Sequence, residues 1–250
     1  MTNTIVIGVD CATEDERTGV AFGVSDAGDC RIEQAMLEAD LPSIPSRVRD
    51  CVQSAGRVLI AIDSPLGWPA PLGTVLAGHS AGEPMPEICA DELFARTCDQ
   101  YVHRALRKKP LEVGADRIAR TARRALELLG QISRTLEQRV ELAWDSRFEA
   151  PVAVIEVYPA ATLRALGHPK GGYKRDEDTR QRDQILARLA GETRIAGEAA
   201  LRGREQPDVL DAMICVLAGH DFLAGRCQPP ENAALAVKEG WIWFRRPASA

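Results

Sequence analysis

Three stretches of this chain are apolar without interruption and then stop on an acid: Ile5-Val6-Ile7-Gly8-Val9-Asp10, Val58-Leu59-Ile60-Ala61-Ile62-Asp63 and Val152-Ala153-Val154-Ile155-Glu156. Short continuous apolar runs read as buried strands, the habit of a parallel sheet layered between helices. In such a sheet the carboxyl ends of the strands open onto one crevice. Acids far apart in sequence are therefore expected side by side. A fourth acidic group, Asp208-Val209-Leu210-Asp211-Ala212, opens an apolar helical stretch, and its two acids share a helical face. Converging carboxylates without matching cations repel one another, so this pattern fits a site for a divalent cation, Mg²⁺ or Mn²⁺.

At 250 residues the chain suits one large domain, or a core carrying an insertion. Its 45% hydrophobic and 27% charged content exclude a mainly disordered or fibrous chain. The net charge of -5 gives no global attraction to nucleic acid or to an anionic membrane, so any such binding needs a local basic patch. Seven cysteines form no CxxC pair and no zinc-like spacing with histidine. Their odd number, with no secretory signal, fits reduced thiols in a cytoplasmic chain. No apolar run reaches the ~20 residues of a membrane helix. Cys11 follows Asp10 and so points to the opposite face of its strand, where an inert, buried thiol is expected.

Along the chain, residues 4–10, 18–24 and 30–37 read as an antiparallel meander, with a turn at Asp26-Ala27-Gly28-Asp29. Ile44, Val48, Cys51, Val52 and Ala55 have helical spacing, and Gly56 is placed to stop that helix. A strand over 57–62 follows, and Ser64-Pro65-Leu66-Gly67-Trp68-Pro69 leaves Asp63 at its end. From about 70 to 150 no strand pattern appears, and helices are expected over 91–108 and 114–140. A β-rich run over 152–157, a helical turn over 160–166, helices over 176–189 and 208–223, and a strand near 240–244 complete the series. Pro207 and Gly225 bracket the last long helix.

The order of these elements, with acids at the ends of strands one, four and five and on the closing helix, resembles the RNase H-like superfamily. More closely, the chain resembles a domain-of-unknown-function family of predicted nucleases with an RNase H fold. The pieces that carry the likeness are Gly8-Val9-Asp10, Ile62-Asp63-Ser64-Pro65-Leu66-Gly67, Arg96-Thr97-Cys98-Asp99, Ile155-Glu156-Val157-Tyr158-Pro159, Tyr173-Lys174, Asp208-Val209-Leu210-Asp211-Ala212 and Glu239-Gly240-Trp241-Ile242. The resemblance implies an α/β fold: a mixed sheet of three antiparallel strands followed by parallel ones, with flanking helices and a helical insertion at about 70–150. It also implies phosphodiester hydrolysis with Mg²⁺ or Mn²⁺ held by Asp10, Asp63, Glu156, Asp208 and Asp211, and Asp10 as first ligand.

Basic residues supply the other half of a phosphodiester site. Between Arg96 and Arg124 they outnumber acids, and Arg117, Arg120 and Arg124 fall at helical spacing on one face, able to follow a phosphate backbone. Arg96 joins them as a candidate substrate contact. A solvated helix face has the same pattern. Lys174, in a Gly171-Gly172-Tyr173-Lys174 loop, is a candidate for catalysis beside the metals. Each acid also has an ordinary alternative: Asp208 as a first-turn anion on the helix dipole, Asp63 in an Asx-turn, Asp211 in a salt bridge, Asp10 accepting backbone amides. His103 and His168 fit surface positions as well as proton carriers. Two other functional readings stand beside the nuclease. Asp10 with Thr13, Thr18 and Gly19 loosely matches the phosphate-binding hairpin of actin-like kinases, without their second domain, and the acids also suit a non-catalytic binding module.

Overall fold

The valine- and isoleucine-rich runs pair into the sheet that their pattern predicts. The computed structural model of the protein describes residues 3–26, 28–114, 116–168 and 172–247. Strands β1 (Thr4–Asp10), β2 (Gly19–Asp26) and β3 (Asp29–Leu37) form the antiparallel meander. Ala27 of the expected turn lies outside the described residues, and Gly28 beside it takes the left-handed conformation with φ 102°. Helix α1 (Ile44–Ala55) starts on Ser43, whose hydroxyl accepts from the Ser46 amide, and stops on left-handed Gly56 with φ 72°. Strand β4 (Val58–Asp63) then pairs in parallel with β1.

Four helices lie between β4 and the next long strand: α2 (Ala70–Leu76), α3 (Ala90–Phe94), α4 (Thr97–Leu106) and α5 (Asp116–Thr135). The helix expected over 91–108 is therefore two helices. The chain extends at Ala95 and Arg96, because the Arg96 amide and guanidinium both bond the Asp99 carboxylate. The helix expected over 114–140 ends at Thr135, where Glu137 turns left-handed and the Ser133 hydroxyl takes the Val140 amide. The segment also holds one strand where none was expected, β5 (Glu141–Leu142), pairing with β6 (Val152–Val157).

Helices α6 (Pro159–Ala165) and α7 (Thr179–Ala190) follow, then a second unexpected strand, β7 (Arg194–Ile195), and an unexpected helix, α8 (Gly197–Glu205). The apolar helix α9 (Pro207–Leu223), helix α10 (Ala233–Glu239) and strand β8 (Ile242–Trp243) close the fold. The result is one mixed α/β sheet in the order β5-β6-β4-β1-β2-β3-β7, with β8 beside β5 on the outer edge of β6. One face packs Val6, Leu59, Ala61 and Ile155 against α9 and its neighbours. The other packs Ile7, Val9, Ile60 and Ile62 against α1 and α5. Among the described residues no helix is long and apolar enough to cross a membrane.

Helix α9 reaches the sheet because β1 and β2 present bare backbone to it. A Cβ on Gly8 would lie 2.1 Å from the Ala212 carbonyl oxygen, and one on Gly19 would lie 2.0 Å from that of Asp208. Both obstacles are backbone and cannot swing aside. Gly8→Ala is expected to push α9 off the sheet and to cost at least about 1–3 kcal/mol, the range for overpacking, read as a lower denaturation midpoint in urea.

Candidate functional site

Asp10 and Asp63 meet because β1 and β4 pair in register, with Asp10 opposite Asp63 and Gly8 opposite Ala61. Opposed residues share a face of the sheet, and here it is the face under α9. Asp211 descends onto them from the second turn of α9, only 2% exposed. One carboxylate oxygen from each of Asp10, Asp63 and Asp211 falls within 4.8 Å of the others.

Lys174 stands at the mouth of this cluster. Its ammonium contacts the Asp211 carboxylate and lies 3.5 Å from both Asp10 Oδ2 and Asp208 Oδ1. The neighbouring Tyr173 hydroxyl donates to Asp211 Oδ1 at 2.6 Å. The Asp63 carboxylate makes no hydrogen bond or salt bridge among the described residues, so no Asx-turn occupies it. Gly171 of the expected loop lies outside the described residues.

The sequence reading missed the residue that fixes this loop. Arg182 is 1% exposed, and its guanidinium donates to the carbonyls of Tyr173, Arg175, Asp176 and Arg204. It thereby sets where Tyr173 and Lys174 sit. The available signal was its spacing: Arg182, Ile185 and Leu189 form the buried stripe of α7, and an arginine on an apolar stripe must bond internally.

Glu156 does not join the three aspartates. It pairs in register with Ile62, so strand alternation turns it toward the opposite face of the sheet from Asp10 and Asp63. Both its oxygens are held by Arg96, at 2.7 and 2.9 Å, and one also accepts from the Leu66 amide. Arg96 is correspondingly no phosphate contact: it is 1% exposed and divided among Asp99, Glu156 and the Glu239 carbonyl. Glu239 extends the lock by accepting from the Ala70 and Thr97 amides and the Thr97 hydroxyl. Arg124 is likewise spent, paired with Asp15 at 2.8 Å and Glu38 at 3.5 Å.

Arg117 and Arg120 do face the site. With Arg17, Lys174, Asp10, Glu14 and Asp208 they line a groove of about 520 Å³. Asp208 lies in the first turn of α9, 3.7 Å from the Arg17 guanidinium, beside the cluster and outside the close trio. Thr18 is spent on its own loop, accepting from the Ala12 amide and donating to the Glu14 carbonyl.

Burial dominates the electrostatics. It pushes the Asp10 carboxyl up to about 8, with Asp211 and Asp208 adding to the rise and Lys174 opposing it. Asp63 is raised well above the usual carboxylate range by burial, then by Asp10 and Asp211. Asp211 is raised by burial against the pull of Lys174 and Tyr173. Burial alone would lower the Lys174 ammonium, but Asp211 and Asp10 outweigh it and hold its pKa above the ordinary value. Cys11 sits on the opposite face among Val9 and Val20, its thiol pushed up to about 12 by burial and so unreactive.

Carboxylates raised in this way oppose folding above their ordinary pKa, because the folded chain holds protons that the unfolded chain has released. An all-oxygen donor set that is short of positive charge matches what Mg²⁺ and Mn²⁺ take.

Fold and site together define an α/β protein with three aspartates gathered at the strand ends beneath a buried helix. The family model described as a protein of unknown function, DUF429, matches residues 8–234, and the chain belongs to that family. A comparison with curated proteins found no match.

Proposed function

We propose that this protein is a divalent-metal-dependent phosphodiester hydrolase of RNase H-like design, acting on nucleic acid or a nucleotide. The observation that carries the reading is the approach of Asp10, Asp63 and Asp211 to within 4.8 Å, with Asp10 at a groove where Arg17, Arg117, Arg120 and Lys174 stand among Glu14 and Asp208. Asp10, Asp63 and Asp211 would hold Mg²⁺ or Mn²⁺, with Asp208 beside them. Bound there, the ion supplies Lewis-acid charge at a phosphoryl group. Tyr173 keeps the Asp211 carboxylate turned toward its partners. Arg117 and Arg120 draw the anionic chain along the groove. The deciding experiment is hydrolysis of a labelled oligonucleotide with Mn²⁺, Mg²⁺ and EDTA. Metal-independent cleavage, or none with either ion, would remove this reading.

Lys174 neutralises part of the cluster while no ion is present, so it competes with the metal. Lys174→Met is expected to lower the melting temperature of the metal-free protein. It is also expected to tighten Mn²⁺ binding several-fold, read by calorimetric titration. Weaker Mn²⁺ binding in the variant would mean that Lys174 supports the ion instead of standing in for it.

The groove predicts a particular salt dependence. Replacing Arg117 by Ala is expected to flatten the log–log salt slope of single-strand binding by about one unit. Arg124→Ala is expected to leave the slope unchanged, since Asp15 and Glu38 already hold that side chain. Equal flattening by both variants would show that helix α5 acts as a diffuse charge.

A further inference from the structure

The aspartates stand between two recesses of different chemistry. On one side runs the groove of Arg17, Arg117, Arg120 and Lys174. On the other is a cleft of about 260 Å³, walled by Pro65, Leu111, Ile118, Val157, Tyr158 and Ile242. Asp10, Cys11, Ile118 and Thr121 border both, so the recesses meet beside Asp10. Leu111, at the cleft, leaves 69% of its surface in water. The Tyr158 hydroxyl makes no hydrogen bond among the described residues, and burial, with Asp63 and Asp211 nearby, keeps it protonated as a donor. Apart from Asp10 and Asp63 themselves, the ionic groups that line the cleft are used up: Arg96, Asp99 and Glu156 satisfy one another.

A ligand that fills such a site is anionic at one end, carries a phosphoryl group at the aspartates, and ends in a flat, mainly apolar body with a few polar edges. A nucleotide unit has that form, and sites for an extruded base combine apolar walls with polar contacts to the base edge. We propose that the cleft of Leu111, Ile118 and Tyr158 receives one unstacked nucleobase next to the scissile phosphate, which makes single-stranded nucleic acid the substrate class. A base still paired in a duplex cannot enter it. The assignment rests on the phosphodiesterase reading above. It gives the insertion a second task, since Leu111 and Ile118 both belong to the segment between β4 and β6.

The test uses the full chain with Mn²⁺. Three labelled probes of equal length are compared by fluorescence anisotropy: oligothymidylate, the same sugar–phosphate chain without bases, and the thymidylate–adenylate duplex. Metal binding is measured separately by calorimetry. Oligothymidylate is expected to bind about ten-fold more tightly than the other two, the effect of one well-stacked base. Leu111→Trp, which fills the cleft, and Tyr158→Leu, which removes the ring, are expected to abolish that preference and to leave affinity for the base-free chain and for Mn²⁺ unchanged. Normal Mn²⁺ binding with equal affinity for chains with and without bases would overturn the base site and leave the hydrolase reading standing. Tighter binding of the duplex would do the same. Failure to bind either Mn²⁺ or any chain would overturn the hydrolase reading and the cleft assignment with it.

Discussion

Asp10→Asn is expected to reduce hydrolysis by about 10²–10⁴-fold, the loss that several kcal/mol of missing Lewis-acid stabilisation represents. It should also remove most of the thermal stabilisation given by Mn²⁺. For the native chain, Mn²⁺ at about a hundred times its Kd stabilises the fold by about 2.7 kcal/mol. At this chain length that corresponds to a rise of roughly 5–10 °C in Tm. The metal-free variant is expected to melt at or above the metal-free native protein, because a buried carboxyl whose pKa is raised by burial has been exchanged for a neutral amide. Thermal melts across a Mn²⁺ titration read both effects. A native chain that melts at one temperature throughout the titration would leave the aspartates without an ion to hold, and the non-catalytic binding module would take over as the better account.

Arg96→Met is expected to have the largest effect on stability. The side chain is fully enclosed, and its removal strands the carboxylates of Asp99 and Glu156 in the interior. Breaking a buried pair in this way costs about 3–5 kcal/mol, or roughly 6–20 °C in Tm. Arg104→Met is the control. Its partner Glu231 is as exposed as Arg104 itself, so the change should stay within about 0.5 kcal/mol. Replacing Asp99 and Glu156 by Leu alongside Arg96→Met should recover part of the loss, since apolar groups of similar size can stand in for a buried ionic cluster. If Arg96→Met melted like Arg104→Met, the network would not be holding the inserted helices to β6 and α10.

The long strands were legible because each is a continuous apolar run with a sharp end, and α1 because its stripe, its serine cap and its terminal glycine agree. Strands β5 and β7 have two residues each, too few for any periodicity to register, whereas β8 falls inside the strand expected near 240–244. Asp10, Asp63 and Asp211 were named correctly as neighbours from their place at strand ends and on the closing helix. Glu156 was placed with them because the run before it looks like the runs before Asp10 and Asp63. Which face its side chain takes depends on strand register, and register involves a partner strand nearly a hundred residues away in sequence. The arginines failed for a related reason. A row of basic residues looks alike whether it faces water or carboxylates, and Arg124 finds its partners at Asp15 and Glu38, which nothing near it in sequence announces.

The docking of α9 on the glycine-bared backbone of β1 also sets when the aspartates first come together during synthesis. Asp10 leaves the ribosome before Asp211, the two separated by some ten to forty seconds at about 5–20 residues per second. Until α9 follows, the growing chain lacks both the third carboxylate and the helix that buries the other two. The completed site therefore belongs only to a chain in which α9 has emerged and docked, and a nascent fragment that stops short of it has no assembled cluster.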